Sequence, residues 1–361
     1  MMQPKIRLKG FSGEWVDHKL SEKEFHIIAG GDIDKEILVK EGKYPVIANA
    51  LTNDGFLGFY ENSYRVEGPA VTVTGRGDVG IAVARHYSFT PVVRLLAIKS
   101  EHNVDFLANA INCCKVAKES TGVPQLTTSK LQEYCIFTPN NIEEEKHIAS
   151  YFTSLDSQIS ATSSRLESLK KVKTASLQAM FPQEGESVPR IRFKGFEGEW
   201  KKTTFNETVI INSGRDYKHL TEGDIPVYGT GGYMLSVNKS LSEMDAIGIG
   251  RKGTIDKPFL LKAPFWTVDT LFFMTPKNDC DLNFLFAVCE KTNWRKYDES
   301  TGVPSLSKLN IGNIEFNIPT KDEQQKIADY FTNLDKQINL QSQRLEKLKQ
   351  IKAACLDLMF V

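Results

Sequence analysis

The chain has 361 residues, 41% apolar and 25% charged, with 45 basic against 45 acidic side chains. This is the balance of an ordinary globular protein, and it excludes a disordered polymer. Zero net charge also argues against a strongly basic protein that grips phosphates unaided, so polyanion binding must rest on local patches or on a partner's charge. Met1 to Gly10 carries three basic residues and no apolar core segment, and no stretch is apolar for long enough to span a bilayer. These features predict a cytoplasmic protein with no membrane association. Six cysteines, Cys113, Cys114, Cys135, Cys280, Cys289 and Cys355, show no CxxC spacing and read as buried free thiols.

In chain order, the segment Pro4-Lys-Ile-Arg-Leu-Lys-Gly-Phe-Ser-Gly-Glu-Trp15 comes first. Short β-rich runs follow at Tyr44 to Ala50, Ala70 to Thr74, Ile81 to Tyr87 and Pro91 to Ile98, separated by turn signals such as Asn53-Asp-Gly55 and Gly75-Arg-Gly77. A helix is predicted over Asp105 to Lys118, ending before Glu119-Ser-Thr-Gly-Val-Pro124. A long helix then opens on a capping signature, Asn141-Ile-Glu-Glu144, shortly after Pro139. Its apolar residues Ile148, Phe152, Leu155, Ile159, Leu166 and Leu169 form a heptad seam, broken by Thr162 and later by Lys173.

At Pro189 the chain starts again, with Pro189-Arg-Ile-Arg-Phe-Lys-Gly-Phe-Glu-Gly-Glu-Trp200. Strands are predicted at Ile225 to Tyr228, Ala246 to Ile249 and Pro264 to Thr275, and a helix at Leu282 to Trp294 before Glu299-Ser-Thr-Gly-Val-Pro304. The second long helix opens with Thr320-Lys-Asp-Glu323 after Pro319, and its seam is Ile327, Phe331, Leu334, Ile338, Leu345 and Leu348, broken by Gln341 and Lys352. Tyr151 to Phe181 matches Tyr330 to Phe360 at roughly 18 of 31 positions without a gap, while the middles of the two copies match far less. Like ends imply a shared job and unlike middles imply different ones, although loop drift also contributes.

The predicted fold is therefore α+β: two tandem mixed domains separated by two long helices. The boundaries are a domain over residues 1–140, a helix over 141–181, a linker over 182–188, a second domain over 189–319 and a second helix over 320–361. A linker too short to run back along the first helix, and seams of equal length, favour an antiparallel coiled coil related by a pseudo-two-fold axis. Two separate helices that each seek an outside partner are the other reading.

The chain carries several short chemical signatures. Gly75-Arg-Gly77-Asp-Val-Gly80 and Gly248-Ile-Gly250-Arg-Lys-Gly253 both fit GxGxxG, but no helix opens in either loop, so they read as tight turns between strands rather than dinucleotide sites. Arg76, Arg251 and Lys252 in those turns suit guanine edges or phosphates, and read equally as solvated turn charges. Thr121 and Thr301 in the repeated Thr-Gly-Val-Pro turn suit phosphate donation or turn capping, with Lys130 and Lys308 close behind. Tyr228, Tyr233 and Trp266 read as core rather than base-stacking platforms. Asp34 with Glu41-Gly-Lys43 is a weak nuclease-like pattern that the second copy lacks. There is no Pro-Pro dipeptide for a methyltransferase loop, and the six histidines show no metal-ligand spacing, so neither catalysis nor a metal is expected of this chain.

The Ile-Arg-Phe-Lys-Gly-Phe-x-Gly-Glu-Trp opening, the Thr-Gly-Val-Pro-x-Leu turn, and the Ile318-Pro319 step into Asp322-Glu323-Gln324 and a long helix, all in duplicate, resemble the specificity subunit of type I restriction-modification enzymes. The first copy departs from that pattern in its Asn-Ile-Glu-Glu cap and its Gly-Arg-Gly-Asp turn. The resemblance implies two target recognition domains that each read half of a split double-stranded DNA sequence. It implies paired helices that act as a ruler and dock two methyltransferase subunits carrying S-adenosylmethionine, and motor-nuclease (restriction) subunits that use ATP and Mg²⁺. A helix of some 40 residues is about 60 Å long, enough to separate two readers by a DNA turn of about 34 Å. A two-headed adaptor that bridges protein partners is the alternative.

Overall fold

The computed structural model describes residues 3–114, 124–277 and 280–361, and its contacts divide the chain into two compact units, Met1–Thr162 with Arg344–Val361, and Ser163–Gln343. In the first unit the elements are β1 (Trp15–Lys19), β2 (His26–Ala29), β3 (Tyr44–Ile47), β4 (Phe56–Tyr60), β5 (Ala70–Thr74), β6 (Ala82–Arg85), β7 (Thr90–Pro91), β8 (Leu95–Lys99), α1 (Val104–Cys113), α2 (Thr128–Gln132) and β9 (Cys135–Pro139). Helix α3 (Ile142–Ala179) begins in this unit and ends in the second. The second unit holds β10 (Lys201–Thr204), α4 (Phe205–Thr208), β11 (Val209–Ser213), β12 (Glu222–Gly229), β13 (Gly232–Val237), β14 (Ala246–Gly250), β15 (Phe259–Leu261), β16 (Trp266–Thr267), β17 (Leu271–Pro276), α5 (Leu282–Lys291), α6 (Lys308–Asn313) and β18 (Glu315–Ile318). Helix α7 (Lys321–Met359) starts there and closes in the first unit. No helix among the described residues is long and apolar enough to cross a membrane.

The sheets repeat strand for strand. A four-stranded antiparallel sheet has the order β2-β8-β5-β6 in one unit and β11-β17-β14-β15 in the other; a three-stranded sheet has the order β4-β3-β7 and β13-β12-β16; a two-stranded pair is β1-β9 and β10-β18. The parallel strand pairing recurs too, β3 with β7 and β12 with β16. The sequence-divergent middles thus share one topology, because alternating burial preserves a fold when side chains are exchanged within it. Two strands expected as continuous are interrupted. Pro91 to Ile98 breaks at 92–94, where Arg94 takes a left-handed φ of 78°, and Pro264 to Thr275 breaks at 268–270. The helix expected to reach Trp294 stops at Lys291 and gives way to a single 3₁₀ turn over Trp294–Tyr297, where Trp294 is buried and donates to the Cys289 carbonyl. Helix α1 stops at Cys113, and its expected extension falls largely outside the described residues.

Each long helix starts with a buried glutamate. Asn141 Oδ1 accepts from the Glu143 amide, which caps α3 as expected. The reciprocal half of the expected capping box is replaced: Glu144 turns to Arg7, with Nε–Oε1 at 2.7 Å and Nη2–Oε2 at 2.6 Å. Glu323 takes Arg192 in the same way, both distances being 2.7 Å. The two carboxylates are 1% and 0% exposed. The same arginines donate onward to the carbonyls of Ser12 and Gly13, and of Glu197 and Gly198, so each guanidinium folds its own Gly-containing turn onto the helix. A forked, charge-assisted pair at a helix N-terminus also sits where the helix dipole favours the carboxylate.

Within each unit the two long helices run antiparallel. In the first, Tyr151 meets Cys355 and Asp156 meets Lys352; in the second, Ser176 meets Tyr330 and Lys173 meets Asp335. The opening motif buckles them together, since the Ile6 amide bonds the Leu358 carbonyl and the Ile191 amide bonds the Ala179 carbonyl. The seam is only partly a helix-to-helix surface. Ile148, Phe152 and Leu155 join Trp15, Phe106, Leu107 and Phe360 in one core, and Ile327, Phe331 and Leu334 join Trp200, Phe284, Leu285 and Phe181 in the other. Thus the domain itself covers the first turns of each rod, where another helix was expected to. Further along, Thr162 and Leu166 are buried, Leu169 and Leu348 are half-buried against their units' cores, and Ile159, Ile338, Gln341 and Leu345 are half-exposed. Residues 182–188, expected as a linker, are tied into the second unit. Pro182 accepts from Lys291, Glu186 from Asn317, and Ser187 from the Trp200 amide. Of the cysteines, Cys289 alone is fully buried; Cys113 and Cys135 are exposed, and all six are free.

The lysines that break the seam carry interhelical ion pairs, Lys352–Asp156 and Lys173–Asp335, both at 2.6 Å. The second unit adds a third charge, Glu290, 2.6 Å from Lys173. Burial pushes the Glu290 carboxyl above its usual range, against the pull of Lys173, and Asp335 adds to the upward push.

Replacing Glu323 by Ala should cost about 3–5 kcal/mol, because it strands the Arg192 charge, and Arg192→Lys, which keeps the charge and loses the fork, should cost less. Urea unfolding of the full chain checks this, and a cost below about 1 kcal/mol would contradict it. Because Glu290 holds its proton more tightly folded than unfolded, stability falls as pH rises from the ordinary 4.5 through the raised value. Unfolding across that window should show this decline in the parent chain and a shallower one in Glu290→Gln; equal slopes would contradict it.

Candidate nucleic-acid interface

In each unit the glycine turn that leaves the inner strand β5 or β14 meets, far along the sequence, the residues that follow the proline of the Thr-Gly-Val-Pro motif, Gln125 and Leu126 or Ser305 and Leu306. In the second unit Lys252 bridges to Ser305, the Gly253 amide bonds the Pro304 carbonyl at 2.8 Å, and the Leu306 amide bonds the Arg251 carbonyl at 2.9 Å. In the first, Arg76 bridges to Gln125 and the Leu126 amide bonds the Gly75 carbonyl at 2.8 Å. No helix opens in either turn, and Gly77 and Gly253 have φ of 78° and 94°, the left-handed backbone that glycine adopts without strain.

This register makes Arg76 the counterpart of Lys252, and Gly75 the counterpart of Arg251. Arg76, Arg251, Lys252, Thr301 and Lys308 are all exposed. Arg251 and Lys308 approach the same ring, Phe272, at 5.7 and 5.9 Å, so the second unit gathers its cations over one aromatic floor. Lys308 opens α6, one residue after its Ser307 cap, whereas Lys130 lies three residues after the Thr127 cap of α2. The two lysines are therefore not equivalent, and Lys130 is half-buried. Thr121 lies outside the described residues.

Other loops reach the same joint. Asn49 accepts from the Gly75 amide and donates to the Arg76 carbonyl, both at 2.7 Å, and Thr230 stands beside Gly253. Arg94 and Arg215, both exposed, were not singled out by motif; the internal alignment of Ala29-Gly30-Gly31 with Ser213-Gly214-Arg215 is the signal that points to Arg215. The Arg65 guanidinium bonds the carbonyls of Pro91 and Asp32, knitting these loops together. Trp266 is buried as expected and Tyr228 is half-buried, but Tyr233 is 63% exposed on β13, contrary to its reading as core. β13 is an outer strand of its three-stranded sheet, and its first residues are covered on neither face, the adjacent Met234 being exposed as well. The nuclease-like residues are otherwise engaged, Asp34 capping the Glu36 amide and Lys43 lying over Tyr44.

One cluster escaped the reading of histidine spacing. His18, Glu22 and Glu24 bring ligand-type atoms within 4.8 Å of one another, and His102, remote in sequence, faces Glu24.

A mixed unit written twice, each with a cation-bearing loop edge and antiparallel helices, defines a duplicated two-domain fold. The model for the type I restriction modification DNA specificity domain matches residues 14–171 and again 197–350, and the chain belongs to that family. Among curated proteins it is similar to a putative type I specificity subunit of Mycoplasma pneumoniae, 31% identical over 141 residues, 38% of each chain. A second from that organism is 30% identical over 168 residues, 43% of this chain and 50% of the relative. The matched stretches thus span half or less of these relatives' length. The crystal structure of the S subunit of a type I restriction-modification system from M. genitalium matches with a TM-score of 0.75 over 100% of this chain and 99% of that one, at 19% identity. That match speaks for the fold.

A Cβ on Gly75 would lie 2.3 Å from the Arg94 carbonyl oxygen. Gly75→Ala should therefore displace the 92–94 turn and cost about 1–3 kcal/mol, whereas Arg251→Gly at the equivalent position should be nearly neutral for stability. Thermal unfolding of both variants checks this, and equal effects would contradict it.

Proposed function

We propose that this chain is the non-catalytic DNA-reading subunit of a type I restriction-modification assembly, with each unit reading one half of a split double-stranded target. The observation that carries the reading is the twofold occurrence of the joint between the glycine turn and the Gln125–Leu126 or Ser305–Leu306 pair. In each unit it presents an exposed cation, Arg76 or Lys252, on a rigid backbone ladder. Arginine and lysine at such a joint address guanine edges or phosphates, and the surrounding residues differ between units as two different half-sites require. Neutral overall charge is consistent with binding in which companion subunits add contacts.

The chemistry in this reading belongs to the partners. Two methyltransferase subunits that bind S-adenosylmethionine methylate adenines, and restriction subunits that use ATP and Mg²⁺ translocate and cut. The helices supply the spacer. At 38 residues, α3 is about 57 Å long, more than one DNA turn of about 34 Å.

Seven residues added to α3 after Thr162 and seven to α7 before Gln341 keep both heptad seams in phase and add about 10 Å, about three base pairs. Methylated adenines mapped in cells carrying this variant should show unchanged half-sites and a spacer longer by about three base pairs; an unchanged spacer would contradict the ruler. In the assembled complex, Arg76→Ala or Lys252→Ala should either lower the salt slope of DNA binding by about one or relax a single base position. DNA binding untouched by both would remove these turns from the interface.

A further inference from the structure

We propose that His18, Glu22, Glu24 and His102 form a binding site in the first unit for one divalent first-row transition metal ion of the Zn²⁺ class. His18 is on β1, Glu22 and Glu24 are in the turn that follows it, and His102 immediately precedes the Asn103 cap of α1. His18 Nδ1 lies 2.7 Å from Glu24 Oε1 and 3.2 Å from Glu22 Oε2, and His102 Nε2 lies 3.9 Å from the same Glu24 oxygen. Four donors around a tetrahedral ion with bonds of about 2 Å stand about 3.3 Å apart. The three separations bracket that spacing, the donors of His18, Glu22 and Glu24 all lie within 4.8 Å of one another, and a rearrangement of about an ångström gathers them round one ion, with His102 as the fourth ligand from the Glu24 side.

The histidines are held ready. His102 Nδ1 is 2.7 Å from Oε1 of Glu145, a carboxylate that is 2% exposed and also accepts from the Asn103 amide. That contact fixes the ring so that Nε2 is the nitrogen facing Glu24, the carboxylate-histidine arrangement that orients imidazole ligands in metal sites. Phe25 stacks on His102 at 5.4 Å and meets His18 edge-on at 6.3 Å, wedging both rings in place.

The second unit shows what the shared fold needs without such a site. Its strand pairing sets Thr203 opposite Phe316 as His18 stands opposite Ile136. Glu22 has a counterpart in Glu207, and both bond a backbone amide at the end of their strand, Lys19 and Thr204. The fold thus explains Glu22. It does not explain the others: Glu24, His102 and Glu145 are replaced by Val209, Cys280 and Gln324, and Gln324 alone suffices to bond the Asp281 amide that caps α5. The two histidines, Glu24 and the buried supporting carboxylate occur together in one unit and are together absent from the other. Two imidazole nitrogens with two carboxylates select a borderline transition metal over Mg²⁺ or Ca²⁺, which prefer all-oxygen sites.

The full chain, stripped with chelator, should bind one equivalent of Zn²⁺ by calorimetry and melt at a higher temperature with it. Co²⁺ should give the visible absorption of a four-coordinate site without a thiolate charge-transfer band. His18→Asn and Glu24→Gln, with circular dichroism showing a folded chain, should each weaken Zn²⁺ binding at least tenfold. Absence of saturable binding, a thiolate band pointing to the cysteines, or affinity unchanged in both variants would each overturn the proposal. Should a variant not fold, the Co²⁺ spectrum of the parent chain decides, supporting the site by four-coordinate nitrogen and oxygen ligation and refuting it otherwise.

Discussion

The fork of Arg7 on Glu144, and of Arg192 on Glu323, ties three parts of each unit at one buried point: the opening segment, the turn after it, and the first turn of a long helix. Its burial makes it costly to break and specific about what it joins, since few other groups can satisfy a desolvated carboxylate in that geometry. From it the rest follows. The opening segment is held where its isoleucine amide reaches the end of the antiparallel helix, and where Trp15 or Trp200 completes a cluster of four aromatics with one residue on the starting long helix, one just past the end of the other, and one from the domain's own helix. Within each unit, domain and helix ends are therefore one core.

On that common frame the units differ where they can afford to. The exposed cation is kept, Arg76 or Lys252, while its neighbour changes from Gly75 to Arg251 and the opposing turn from Arg94 to Thr270. Buried polar pairs change in concert. The first unit caps α1 with Asn103 and supports it with Glu145, while the second caps α5 with Asp281 and supports it with Gln324. Each unit thus places one carboxylate, not two, at a site where two buried like charges would repel.

Much of this was legible in the sequence. The duplication, the long helices, their polar layers and the turn character of the glycine motifs all follow from local spacing, and local spacing is what helices and tight turns are made of. The identity of the two sheet orders was hidden, because strand partners lie far apart and the middles had diverged. The fate of Glu144 and Glu323 was misread as capping for a similar reason: the arginine that claims each is more than 130 residues away. The meeting of the glycine turns with Gln125–Leu126 and Ser305–Leu306, the exposure of Tyr233, and the approach of His102 to Glu24 are likewise tertiary events that no spacing rule reports.

The central claim is that two separate readers stand on one frame. It is tested most directly by exchanging residues 207–296 for the corresponding segment of a divergent relative and sequencing the methylated sites that the reconstituted complex produces. The account predicts that one half-site changes while the other half-site and the spacer stay as they were. Alteration of both half-sites would contradict it.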